Sequence, residues 1–493
     1  MIILDALHAV FTFDVLSAVT IGSIAGIIIG GMPGLTATMA VALLIPITFS
    51  FSPLIGLSLM GGVYAGAMYG GSIAAILLST PGTPAAAATA IEGYPLTKQG
   101  KGGLALKVSV VASFIGGTFS VFVLLLVSPL LAKFALKFGP PEYFLLALMG
   151  LTGVISVSSG GLVKGIISGL IGLIIALIGT DAMSGMLRYT FGQVELYEGV
   201  SFMPALIGMF SIAQMLELTG EKRIANDDID LSTIKREKMP KGMAPFIALG
   251  TAVGTLVGII PGEGATIAAF VSYNMAKQKS KLKHLFGKGN PEGIAAAESG
   301  NNACVGGSLV PLLTLGIPGN TVSAALMGGL MIQGLIPGPE LFTKYGQITY
   351  GFILSLFIAN IVFLVVGLFF APYFARIALI PAPILIAAIS VFSVVGSYAI
   401  NNSMFDVGIM LVFAIVGFFL NKLNFSLSAI ILGMILGPIA ESGFAQALTI
   451  SGGSYGIFFA SVAAKILWVI ILILLVQPLI GHYKSKKIKN IAS

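Results

Sequence analysis

A short apolar motif broken by Pro-Gly occurs twice in this chain and constrains its fold more than any other feature. Residues 26–38 read GIIIGGMPGLTAT, and residues 254–266 read GTLVGIIPGEGAT. Gly26, Gly30, Pro33, Gly34, Ala37 and Thr38 fall in register with Gly254, Gly258, Pro261, Gly262, Ala265 and Thr266. Two more landmarks follow in the same order. Gly70-Gly71-Ser72 answers to Gly306-Gly307-Ser308, and Pro81-Gly82 answers to Pro318-Gly319. Proline in an apolar helix removes a donor and forces a break. The freed N–H and C=O groups survive at membrane depth only when buried in protein or facing a polar cavity. Matched breaks in both halves predict a duplicated membrane fold whose breaks surround a solute site.

Composition places the motif in a bilayer. The chain is 57% hydrophobic and 9% charged, against roughly 25% charge in a soluble domain, and its mean hydropathy is +1.02. Apolar runs long enough to cross a bilayer recur at 108–131, 161–180, 346–371, 378–399 and 457–480. The expected fold is an all-α polytopic membrane protein of about nine to twelve membrane segments, arranged as two inverted repeats with broken helices and re-entrant hairpins. A β-barrel is excluded, because its strands would alternate apolar and polar residues over short segments.

The Lys and Arg residues cluster between apolar runs, at 222–241, 277–288 and 484–489. Such clusters mark cytoplasmic loops, so the net charge of +7 does not imply nucleic acid. The expected division is a first membrane repeat at 1–216, a cytoplasmic linker at 217–242, a second repeat at 243–480 and a basic cytoplasmic tail at 481–493. Asp5 and Asp14, with no Lys or Arg before the first span, place the N-terminus outside. The first motif copy therefore has acidic flanks, whereas the second lies between Lys-rich loops, so the two copies enter the membrane from opposite sides. Residues 243–276 are too short for two full crossings and read as a hairpin turning within the membrane. Pro141 and Pro383 each open a later apolar stretch, which ends in a polar break at 158–161 or 401–403.

Helix N-termini at such breaks carry free N–H groups and partial positive charge, which attract anions. The candidate substrate- or ion-binding residues are Gly34, Thr36 and Thr38 at the first break and Ser79, Thr80, Gly82 and Thr83 at the second. Glu263, Gly264 and Thr266 mark the third break, and Gly319, Asn320 and Thr321 the fourth. Asn301 and Asn302 join them from the polar segment 291–308, in which Glu298 is an intramembrane carboxyl candidate. The alternative for Glu298 is a helix-capping role at the membrane interface. The alternative for each single break is close helix packing through small residues. Arg188, Arg376, Asp406 and Asp181 read as isolated groups at span ends.

Enzyme classes find no support. His8, His284 and His482 lie in flanks or loops, and no H-E-x-x-H occurs. The Gly-Lys pairs at 100–101 and 287–288 do not fit a phosphate-binding loop. Cys304 is the single cysteine, so there is no intrachain disulfide and no cysteine-based metal cage. No cofactor or metal site is expected. The residues leave open a gradient-driven carrier and a passive channel built from the same broken helices.

At these segments the chain resembles the TctA family, the large membrane subunit of tripartite tricarboxylate transporters. The matching pieces are 31–49, 61–96, 179–210, 261–277 and the long segment 286–342, FGKGNPEGIAAAESGNNACVGGSLVPLLTLGIPGNTVSAALMGGLMIQGLIPGPELF. The resemblance implies a multi-pass permease of a bacterial cytoplasmic (inner) membrane. It implies two partners, a periplasmic solute-binding protein and a small membrane subunit. It further implies uptake of citrate-like carboxylates coupled to Na+ or H+, with the hairpins in a mobile, substrate-carrying part. Ser79 departs from the Asn expected before the Thr-Pro-Gly turn, which bears on the substrate rather than on the fold.

Overall fold

The computed structural model describes residues 2–32, 34–156, 160–219, 237–262, 264–376, 380–476. The expected break at 158–161 lies partly outside them, as do most of the linker and the basic tail. Helices account for nearly all of the described structure, apart from one two-stranded antiparallel hairpin, Gly179–Thr180 with Leu187–Arg188. Among the described residues, seven helices are long and apolar enough to cross a membrane, and seven shorter apolar helices accompany them.

The first half opens with α1 (Ile2–Val10) and α2 (Phe13–Gly30), followed by α3 (Ala37–Thr48), α4 (Pro53–Leu78), α5 (Ala86–Lys98) and α6 (Gly102–Ala135). It continues with α7 (Pro140–Ser156), α8 (Leu162–Ala176), α9 (Phe202–Ile207) and α10 (Ala213–Leu218), the last two joined by a π-helical turn at Gly208–Ile212. The second half holds α11 (Ala244–Ile259), α12 (Gly264–Lys279), α13 (Pro291–Leu315), α14 (Thr321–Ile332) and α15 (Glu340–Thr343). It closes with α16 (Gly346–Ala375), α17 (Ala382–Asn401), α18 (Met404–Lys422), α19 (Leu427–Ile450) and α20 (Val462–Val476). The segment 243–276 forms α11 and most of α12, whose 16 residues each span about 24 Å. That is short of a bilayer core of about 30 Å, as a re-entrant hairpin requires.

The duplicated glycines are packing residues. Gly22, Gly26 and Gly30 of α2 lie against the backbone of Leu59, Val63 and Ala67 on α4. Gly250, Gly254 and Gly258 of α11 lie in the same way against Ala296, Gly300 and Cys304 on α13. Each series has a small residue every fourth position, which lets two helix backbones touch where a Cβ would collide. For Gly26, Gly30, Gly254 and Gly258, close packing is thus the structural role.

The other contacts repeat with the halves exchanged. α6 lies along α13 while α16 lies along α4, and α3 meets α14 while α12 meets α5. Hydrogen bonds fix how α4 and α13 face each other. Tyr64 bonds Ser308 at 2.9 Å, Asn301 Nδ2 donates to the Met68 carbonyl at 3.0 Å, and Ser72 Oγ donates to Glu298 at 2.5 Å. Residue numbers rise on one helix as they fall on the other, so these matched helices run antiparallel. A second group, α7, α8, α19 and α20 with α9, α10, α17 and α18, packs beside the hairpins.

Candidate solute site at the helix breaks

The four breaks meet. A cavity of about 320 Å³ is lined by Thr36, Ala37 and Thr38 from the first break, and by Thr83, Pro84 and Ala85 from the second. The third contributes Gly264, Ala265 and Thr266, and the fourth Asn320, Thr321 and Val322. These residues lead into or open α3, α5, α12 and α14. The start of α19, Ser426 to Ser428, forms part of the opposite wall with Gln214 and Asn421. Met68, Met209, Phe210 and Phe425 supply apolar surface.

Five helix N-termini around one cavity have a direct electrostatic meaning. The first amides of a helix have no partner inside it, and each N-terminus carries roughly half a positive charge. No Lys, Arg, Asp or Glu lines the cavity among the described residues. Its positive character therefore comes from backbone, and Thr and Ser hydroxyls add adjustable donors. An anionic solute is the chemistry this wall favours.

The caps show how the breaks are held. Thr36 Oγ1 accepts from the Met39 amide at 3.2 Å, and Ser426 Oγ accepts from the Ala429 amide at 3.2 Å. Asn320 forms a reciprocal capping box with Ser323 at the start of α14. Its remaining amide group donates to Tyr64 at 2.8 Å. Asn320 thus lines the cavity while its polar atoms brace the helix start, so its part is to present that N-terminus.

The remaining candidates lie behind the lining. Gly34, at φ +84°, is backed by Leu218. Ser79 ends α4 in the left-handed region at φ 57°. Gly82 donates its amide to the Gly71 carbonyl at 3.2 Å and sits too close to Gly30 for any Cβ. Gly319 accepts from the Gly262 amide at 2.8 Å, tying the third break to the fourth. Asn301 and Asn302 are buried in α13, each with its side-chain oxygen unpartnered. Thr80 and Thr83 likewise carry unpartnered buried hydroxyls. Glu263 lies outside the described residues.

Three readings are corrected. Glu298 is not an interfacial cap: it is fully buried within α13 and accepts hydrogen bonds from Ser72, Thr89 and Ser113. Arg188 is not isolated either, because its guanidinium makes a two-pronged ion pair with Glu441 of α19, which pins the strand hairpin to that helix. Asp406 is buried in the first turn of α18 and accepts from Asn401 at 2.7 Å. The apolar context hid its partner too.

Sequence reasoning missed Glu92. This buried α5 carboxylate accepts from the backbone amides of Gly287, Gly289 and Asn290 and from the Tyr273 hydroxyl at 2.7 Å. The segment FGKGNPEG is therefore a loop wrapped around a carboxylate. Gly287 and Gly289, at φ +82° and +101°, give it the curvature that aims consecutive amides inward.

Fold and site together define a polytopic helical membrane protein with an anion-favouring cavity assembled from two sets of broken helices. The chain belongs to the tripartite tricarboxylate transporter TctA family, whose family model matches residues 16–432. It is a membrane transporter component of that family. It is 36% identical over 472 residues to an "uncharacterized 52.8 kDa protein in TAR-I ttuC' 3'region" of Agrobacterium vitis, covering 95% of this chain and 94% of that one. It is also 36% identical over 234 residues to an "uncharacterized protein in TAR-II ttuC' 3'region" of the same organism, covering 48% of this chain and 97% of that one. No solved structure matches the chain.

Proposed function

We propose that this chain is the permease subunit of a binding-protein-dependent secondary transporter that imports tricarboxylates or related carboxylates across a bacterial cytoplasmic membrane. The observation that carries this reading is the convergence of five helix N-termini on one cavity with no charged side chain in its described lining. Five partial charges of about one half suit a solute bearing two or three carboxylates. The volume lies at the lower end of the range of roughly 300–1,000 Å³ typical of small-molecule sites. Thr36, Thr38, Thr83, Gly264, Thr266 and Thr321 would contact the solute, with Asn320 holding its helix start in place.

The antiparallel relation of α4 and α13 supports an inverted repeat, the arrangement that yields two mirror-related access states. The repeats are residues 1–216 and 243–480, joined by the linker 217–242 and followed by a basic tail. Lys107 reaches the Glu237 carbonyl and Gln99 reaches the Lys288 carbonyl, so residue 237 and the 277–288 loop meet at the α5–α6 end. That end is the cytoplasmic one. The partners are a periplasmic solute-binding protein and a small membrane subunit, and the drive is a Na+ or H+ gradient.

The test is labelled citrate uptake into proteoliposomes holding this chain and its small subunit, with the binding protein outside. Saturable uptake that requires the binding protein and an ion gradient is the expected result. Flux indifferent to both would sink the carrier and favour a pore.

A further inference from the structure

The two buried carboxyls of the hairpin body have donor shells of different chemistry. Glu92 is held by three backbone amides and a tyrosine hydroxyl. The amides of this shell can only donate. Glu298 is held by three aliphatic hydroxyls, from Ser72 on α4, Thr89 on α5 and Ser113 on α6. A hydroxyl donates or accepts, so this shell is satisfied with the carboxyl charged or neutral. Helical Ser and Thr have an alternative acceptor one turn back, which Ser23, Thr255 and Ser299 already use here.

A second observation links Glu298 to the cavity. Thr83 lines the cavity yet is 4% exposed, and its buried hydroxyl has no partner. It lies against Gly71, the residue before Ser72. Thr83 thus packs beside the residue that precedes Ser72, the donor to Glu298, and has no hydrogen-bond partner of its own. Ser72 and Ser113 lie 2.5 Å and 2.9 Å from the Glu298 oxygens, within reach to pass a proton.

We propose that Glu298 is the proton-carrying group of the permease. This rests on the transporter reading above and assigns its coupling ion. A proton from the outer solution adds to a Glu298 oxygen, forming one O–H bond. The same bond breaks after the access change, and the proton leaves to the inner solution. Titratable groups on the packed elements have other engagements. Tyr69 of α4 is the exception: its ring stacks on Phe363, but its buried hydroxyl has no partner and faces Glu298. Glu92 of α5 and Tyr273 of α12 bond each other, and Lys107 of α6 reaches the Glu237 carbonyl. Glu340 of α15 pairs with Lys344, and α11 carries no titratable side chain. Cys304 lies on α13 itself, buried and free of any disulfide.

The experiment compares wild type and Glu298→Gln in the citrate proteoliposomes, with a pH-sensitive dye inside. In wild type, one pH unit of acid-outside gradient raises steady-state citrate accumulation about tenfold for each proton carried, and dye acidification accompanies uptake. In Glu298→Gln both responses vanish while gradient-free citrate exchange persists. Proton influx retained by Glu298→Gln overturns the assignment, as does wild-type uptake driven by Na+ without acidification. Infrared difference spectra over a pH titration of the purified protein give a readout independent of transport. A protonated-carboxyl band present in wild type and missing in Glu298→Gln supports the site, and its absence from wild type overturns it. If wild type moves no carboxylate, the permease reading fails and the infrared result alone judges Glu298.

Discussion

The hydroxyls of Thr38 and Thr321 meet at 2.8 Å, joining the first turns of α3 and α14 across 283 residues of chain. One residue comes from each half, and both line the cavity. Their bond closes the wall where a carboxylate oxygen would otherwise be offered two hydroxyls. On the function proposed above, a solute that binds here would compete with this bond.

Thr38→Val and Thr321→Val each remove one partner with little change of shape. Each is expected to cost no more than about 1 kcal/mol of stability, the usual net value of one hydrogen bond, while lowering uptake markedly. The double variant should lose less than the sum of the singles, because the residues share one interaction. Initial uptake rates and thermal denaturation in detergent read both effects. Unchanged uptake in both singles would remove these residues from the site.

Glu92→Ala leaves the amides of Gly287, Gly289 and Asn290 without their acceptor. Each orphaned buried donor costs about 1–3 kcal/mol, so the variant should unfold at clearly lower temperature or fail to accumulate. Glu92→Gln keeps an acceptor oxygen and should lie between it and wild type. A melting temperature equal to wild type in Glu92→Ala would contradict the latch.

Gly26→Ala and Gly254→Ala occupy matched places on α2 and α11. The added Cβ would meet Ala67 N at 2.8 Å in one and Gly300 Cα at 2.8 Å in the other. Overpacking of this kind typically costs about 1–3 kcal/mol, and the two variants should behave alike. Gly408→Ala is the control, since open space surrounds that position. It should be neutral or slightly stabilising, as alanine favours helix interiors. Denaturation curves for the three variants test the pairing.

The strand hairpin carries a pH signature. The Ser184 hydroxyl, then the Met183 amide, hold the Asp181 carboxyl below its usual range, with Arg188 adding a smaller pull. A lowered folded-state value means the contribution is full above the ordinary aspartate value of about 3.9. It is lost as pH falls through the lower folded value. Ser184→Ala should move that loss to higher pH. Hydrogen exchange at the Met183 and Met186 amides, followed through the acid range, measures the displacement.

The duplicated Pro-Gly motif was legible because its spacing records the breaks directly, and the structure brings residues of all four breaks to one cavity. Gln214, Asn421, Ser426 and Ser428 were not legible. They reach the wall from helices with no repeated break, and only tertiary packing brings them there. Glu92 was missed because its backbone partners lie 195 to 198 residues away in a loop whose glycines resemble a flexible connector. Arg188 looked solitary because Glu441 is separated from it by 253 residues. Long-range polar pairs leave no periodic trace, whereas helix breaks do.

Among the described lining residues, the partial charge that faces the cavity belongs to peptide groups. No titration removes it and no single side-chain replacement erases it. What substitution does reach is the ring of hydroxyls and the apolar wall between the helix starts. Trading threonines and serines therefore reshapes the lining and leaves the backbone field of the helix starts in place.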